Sequence, residues 1–109
     1  MSLISSEGNV GLTSTILYEC RLNNVCAINY IRFSNSVTNY DVTLQKYVSS
    51  TAATVDIYSV SLNHGDTITD DMVYILHPGD QLIAISTDAN TTFIISGEEG
   101  PNLSFLRCK

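Results

Sequence analysis

Three short apolar runs close the chain, at residues 72–76, 82–85 and 93–95, and turn chemistry separates them. Runs of this length, rich in Ile, Val, Phe and Tyr and bounded by Gly, Pro, Asp and Asn, read as strands; a helix needs a longer segment with apolar residues three and four apart. In His77-Pro78-Gly79-Asp80 the proline fixes φ at the first corner of a turn. The glycine supplies the positive φ of the second corner, as a type II turn requires. Asp88-Ala89-Asn90 reads as the turn of the next hairpin, so this region is expected to be a meander of antiparallel strands.

Upstream, residues 13–19 are β-branched and aromatic and form a first strand. Arg21-Leu22-Asn23-Asn24 is a turn whose asparagines tolerate positive φ. Residues 25–33 are apolar at nearly every position, with Val25, Ala27, Ile31 and Phe33 on one face and Cys26, Ile28 and Tyr30 on the other. A strand covered on both sides has this pattern, so it is expected to be central, its second face at Ile28 and Tyr30 covered either by a neighbouring subunit or by the chain's own loops. Tyr40, Val42 and Leu44 alternate with polar residues, which makes a half-buried strand. Residues 54–62 change phase midway, as at a bulge or where a strand switches sheets. Residues 67–69 read as an extended link, and residues 103–106 as one last strand. With about eight strands and no helical periodicity, the expected fold is all-β, an antiparallel, jelly-roll-like β-sandwich. It forms one domain over residues 13–109, preceded by a polar arm at residues 1–12 that is expected to be mobile in the free subunit.

Charge excludes one class of partner. The net charge is -6, and residues 47–106 contain no Lys or Arg. The same stretch carries Asp56, Asp66, Asp70, Asp71, Asp80, Asp88, Glu98 and Glu99. Such a surface repels a phosphate backbone, so nucleic-acid binding is not expected. No apolar run is long enough to span a bilayer, and the first residues lack the basic start and apolar stretch of a signal peptide. The reading is a protein released into a cytosol, with Cys20, Cys26 and Cys108 as reduced thiols that behave as small apolar residues. A Cys20–Cys26 disulfide would leave Cys108 unpaired.

Catalytic and metal chemistry find little footing. There is no GxSxG elbow, and His64 and His77 have no ligand spacing with the cysteines. The pairs Asp70-Asp71 and Glu98-Glu99 are adjacent residues, which in a strand point to opposite faces and cannot share one ligand. No cofactor is expected. Exposed tyrosines among Tyr18, Tyr40, Tyr47, Tyr58 and Tyr74 are the available platforms for sugar rings, which keeps a carbohydrate-binding jelly roll as an alternative.

The order of the pieces resembles small virion proteins of tailed bacteriophages. The matching pieces are Leu17-Tyr18-Glu19, residues 25–35, residues 41–46, Asp66-Thr67-Ile68, residues 72–80 with the Leu76-His77-Pro78-Gly79-Asp80 core, and residues 93–98. The resemblance covers residues 13–99; it departs at residues 20–24, where the family usually carries a Pro-Ala-Gly-type turn, and in the tail from residue 103. It implies a non-enzymatic structural subunit located in the virion and made in the host cell cytoplasm, most directly a capsid decoration or cement protein, otherwise a neck or tail subunit. Its implied partners are copies of itself, as a homotrimer, and the major capsid or other virion proteins. Candidate contact residues are Ile28 and Tyr30 on the central strand and the acidic positions Asp70, Asp71, Glu98 and Glu99.

Overall fold

The computed structural model describes residues 2–101, which contain nine strands and no helix. They are β1 (Ser2–Asn9), β2 (Thr15–Glu19), β3 (Val25–Ser34), β4 (Tyr40–Val48), β5 (Ala53–Leu62), β6 (Thr67–Asp70), β7 (Tyr74–Leu76), β8 (Gln81–Ser86) and β9 (Thr92–Gly100). One sheet has the order β1-β9-β3-β6, with β7 also on β3, and the other has the order β2-β8-β4-β5. β6 pairs with residues 31–34 of β3 and β7 with residues 26–28, so the two occupy one strand position interrupted at residues 71–73. Eight strand positions therefore divide evenly between two antiparallel sheets. That is the all-β, jelly-roll sandwich expected from the sequence.

The expected closing meander is replaced by crossovers. β7 pairs with β3, β8 with β2 and β4, and β9 with β1 and β3. The turns at residues 77–80 and 87–91 carry the chain from one sheet to the other. Turn chemistry reverses a chain but does not select the sheet that the next strand joins. Where the expectation concerned local geometry it agrees with the structure: φ is +86° at Gly79 and +74° at Asn23. The phase change in residues 54–62 is a bulge, since the register of β5 on β4 shifts between Leu44 and Gln45.

β3 carries the main correction. Its pairing with β9 slips by one residue between Ile28 and Tyr30. Cys26 and Ile28 before the slip, and Ile31 and Phe33 after it, are all fully buried. A regular strand would put Ile28 and Ile31 on opposite faces; the extra residue of a bulge restores both to the core. The strand looks apolar on two faces because one buried face changes phase, so Ile28 is not on an outer surface. Gly97 sits opposite Ile28, and a Cβ there would fall onto the Ala27 carbonyl oxygen and within 2.9 Å of the Ile28 Cα.

Residues 67–69, read as a link, lie in a paired strand. Within the stretch read as a mobile arm, Ser2–Asn9 is a strand in continuous register with β9 from Ser2↔Glu99 to Asn9↔Thr92. Its inward side alternates Ile4 with Ser6 and Gly8, a weak apolar signal in sequence; Gly8 faces the Phe93 ring, which a Cβ would meet at 3.3 Å. The expected strand at residues 103–106, and Cys108, lie outside the described residues. The core between the sheets is built from Ile28, Ile31, Phe33, Tyr40, Val42, Leu44, Leu76, Leu82 and Ile95. Burial of each such aliphatic or aromatic side chain contributes roughly 1.5–3 kcal/mol.

Candidate functional site

Polar residues are buried at both ends of the sandwich, and both clusters serve the fold. At the end where β3 and β8 begin, Asp80 is buried and its carboxylate accepts hydrogen bonds from the Ser49 N–H at 2.9 Å and the His77 N–H at 3.0 Å. Lys46 reaches inward from β4, donating to the Ile75 carbonyl at 2.8 Å with its Nζ 3.8 Å from Asp80. One lysine thus ties the two sheets together. Beside it, Glu99 accepts from the Asn24 amide at 3.0 Å and lies 3.8 Å from the Arg21 guanidinium. Burial first, and then the Glu99 carboxylate, hold the Tyr18 hydroxyl well above the usual phenol range.

At the other end, Asn35 donates to Asp88 at 3.0 Å and to the Thr91 hydroxyl at 3.2 Å, while its own side-chain oxygen accepts from the Val37 and Thr38 N–H groups. Ser86 and Thr91 complete this network at 2.7 Å. A buried polar network with every partner present rigidifies the corner it joins. The sequence reading places Asp80 in a turn and does not mark it or Asn35 as a buried anchor. The signal was there in principle, because Asp and Asn before or within turns bond their own backbone, but spacing alone does not tell a buried anchor from a wet turn residue.

The six expected contact residues do not form one surface. Tyr30 and Glu98 project from the outer face of the sheet containing β1, β9 and β3, and Ile28 and Glu99 project into the interior. Glu98 and Glu99 do point to opposite faces. Asp70, at the end of β6, accepts from the Tyr74 hydroxyl at 2.6 Å and the Met72 N–H at 2.9 Å, so it organises the β6–β7 break, next to exposed Asp71. Burial, with the Asp70 carboxylate next, pushes the Tyr74 hydroxyl up.

Among the described residues no group of His, Cys, Asp and Glu is arranged to hold a metal ion. The tyrosines expected to be exposed are half-buried or, for Tyr40, buried, with the Tyr40 hydroxyl on the Asp66 carbonyl at 2.7 Å. A shallow polar cleft of ≈ 300 Å³ beside Arg32, lined by Ser34, Asn35, Thr67 and Thr92 among others, has no aromatic wall.

What remains exposed is edges and apolar side chains. Leu3 is 80% exposed on the outer face of β1, where Ile94 of β9 is also exposed. Met72 and Val73 protrude from the break between β6 and β7, and Ile16 from β2. The four sheet edges differ. β2 has five residues and is bulged, β5 is bulged, and the β6–β7 position is interrupted. Among the described residues β1 pairs on one side only, over eight residues and with no register shift. Short, bulged or broken edges resist pairing with another chain, and a long regular edge invites it.

The fold is shared with assembling proteins. A subunit of the disulfide-linked pili of Bacillus endospore appendages is 10% identical, with a TM-score of 0.55 over 90% of this chain and 83% of that one. A chain of the T13 IBDV viral particle is 9% identical, with a TM-score of 0.52 over 93% of this chain and 32% of that one. A pentameric capsid protein isolated from metagenomic phage sequences is 14% identical, with a TM-score of 0.51 over 86% of this chain and 61% of that one. The likeness is one of fold. This chain spans about a third of the IBDV chain's length and less than two thirds of the phage capsid protein's. No family model matches the chain, and no curated protein matches it in sequence.

Proposed function

We propose that this chain is a virion structural protein that works by self-association, most specifically a capsid decoration or cement subunit that bridges neighbouring capsomers; a neck or tail subunit is the alternative position. The observation that carries the reading is the β1 edge: eight residues long, unbulged, with Leu3 standing exposed beside it. A second chain can extend the sheet there through main-chain hydrogen bonds, its apolar side chains covering Leu3 and Ile94. The likeness to capsid proteins supports the reading at the level of fold. Small contacts of this kind, repeated by symmetry, hold a subunit on a shell by multivalency. The resemblance to phage virion proteins implies a homotrimer; the phage capsid neighbour is a pentamer, so copy number is left to measurement.

Mass in solution tests the proposal. The parent chain is expected to form one closed oligomer of fixed mass, and Leu3→Lys to give a folded monomer with an unchanged far-UV circular dichroism spectrum, its unfolding midpoint lower than the parent's by the stabilisation that assembly contributes. Open-ended growth would favour a filament subunit, the assembly that the Bacillus protein forms. A parent chain that stays monomeric and does not bind particles sinks the proposal.

A further inference from the structure

Cys20 lies just past the end of β2 and Cys26 near the start of β3, on either side of the tight turn through Asn23. Their sulfurs are 2.7 Å apart, with the Cys26 thiol donating to Cys20 and the Cys20 thiol to the Asn24 carbonyl at 3.3 Å. Both are free thiols, 1% and 0% exposed. An inert buried cysteine is a small apolar filler and has no need of a second sulfur or a charge beside it. Here the Glu99 carboxylate, itself buried, stands 3.8 Å from the Cys26 sulfur.

We propose that Cys20 and Cys26 are an oxidative modification site, at which a hydroperoxide converts the thiol pair into an intramolecular disulfide clasping β2 to β3. A water-sized oxidant suits thiols buried this deeply. The Cys20 sulfur attacks one peroxide oxygen and breaks the O–O bond while its thiol proton passes to the departing hydroxide, giving a sulfenic acid and water. The Cys26 sulfur then attacks the Cys20 sulfur, forming the S–S bond and expelling hydroxide. Glu99 takes the Cys26 proton and passes it to that hydroxide. Two thiols and one hydrogen peroxide become one disulfide and two waters, the sulfurs oxidised and the peroxide reduced. Cys20 reacts first: burial raises both thiols, and the hydrogen bond between them offsets that at Cys20 and adds to it at Cys26. A reducing cytosol keeps the clasp open, and an oxidising exterior closes it.

The test uses a Cys108→Ser chain, which leaves only the pair in question. After one equivalent of hydrogen peroxide, the intact mass is expected to fall by two hydrogens, and a proteolytic map to join Cys20 to Cys26. The free thiols titrated in denaturant disappear, and dithiothreitol restores them. Closing so short a loop shifts the folding equilibrium roughly 50-fold toward the folded state, read by urea unfolding of oxidised against reduced protein. Accumulation of sulfinic acid without a linked peptide, disulfides only between chains, or equal stability of the two forms would each overturn the proposal.

Discussion

Gly97→Ala separates two physical accounts of one residue by the sign of their effect. Gly97 does not use the left-handed region, unlike Gly65 and Gly79. On chain entropy alone, alanine there would stabilise the protein by about 0.4–1 kcal/mol through the unfolded state. Sterics point the other way. The new Cβ would fall onto the Ala27 carbonyl oxygen, 2.9 Å from the Ile28 Cα and 3.0 Å from the Ala27 carbonyl carbon. These are backbone atoms, and no rotamer change removes them. Relief requires β9 to part from β3 at the bulge, where β3 is also held by β7. Overpacking costs about 1–3 kcal/mol and each lost ladder hydrogen bond about 1 kcal/mol more, so the loss should reach about 3–4 kcal/mol. That is a large share of the roughly 5–15 kcal/mol that holds a domain folded. Urea unfolding followed by far-UV circular dichroism and by tyrosine fluorescence measures it, the chain having six Tyr and no Trp. Gly65→Ala, with open space but φ +83°, should lose about 1–2 kcal/mol from backbone strain. Gly8→Ala, which meets only the edge of the Phe93 ring at 3.3 Å, should lose less than about 1 kcal/mol. A Gly97→Ala protein as stable as its parent would refute the bulge and with it the inward placement of Ile28.

Asp80→Ala removes the acceptor for two backbone N–H groups and leaves Lys46 without its carboxylate; the expected loss is about 3 kcal/mol in urea unfolding, and a loss under about 1 kcal/mol would show that the anchor is dispensable. The backbone N–H of Asn90, and next the Asn35 amide, hold the Asp88 carboxyl below its ordinary value of 3.8. A carboxyl lowered in the folded state stabilises above that value and loses the contribution as pH falls through and below it. Asp88→Asn should therefore flatten the acid limb of the stability profile, and an unchanged slope between pH 5 and the acid transition would contradict the assignment.

Strand positions were legible wherever alternation and turn residues agreed, as at residues 40–45 and 82–85, and so was the positive φ at Asn23 and Gly79. Three things were not. The bulge in β3 leaves no local mark, because Asn29 resembles any polar residue in a strand and the requirement is written across the sheet at Gly97. β1 was missed because its inward positions include Ser6 and Gly8, neither a strand former, the glycine lying against the Phe93 ring. The sheet each closing strand joins depends on pairings among strands far apart in sequence, which no short window contains. Two of the six expected contact residues lie inside for the same reasons: Ile28 changed face with the bulge, and Glu99 is an interior acceptor for Asn24.

An open sandwich differs from a closed barrel in having edges to manage, and the treatment of each edge here is informative. Bulges at β2 and β5, exposed Asp56 on β5, and the break between β6 and β7 all spoil the regular row of donors and acceptors that another chain needs. The same treatment of β1 would have guarded every edge. Instead β1 keeps eight residues in register, with Glu7 as its single charge and Leu3 turned outward. Among the described residues three guarded edges and one open one restrict pairing to a single direction, and an isologous pairing through β1 would bury that edge entirely. Main-chain pairing with a second chain therefore meets least resistance at β1.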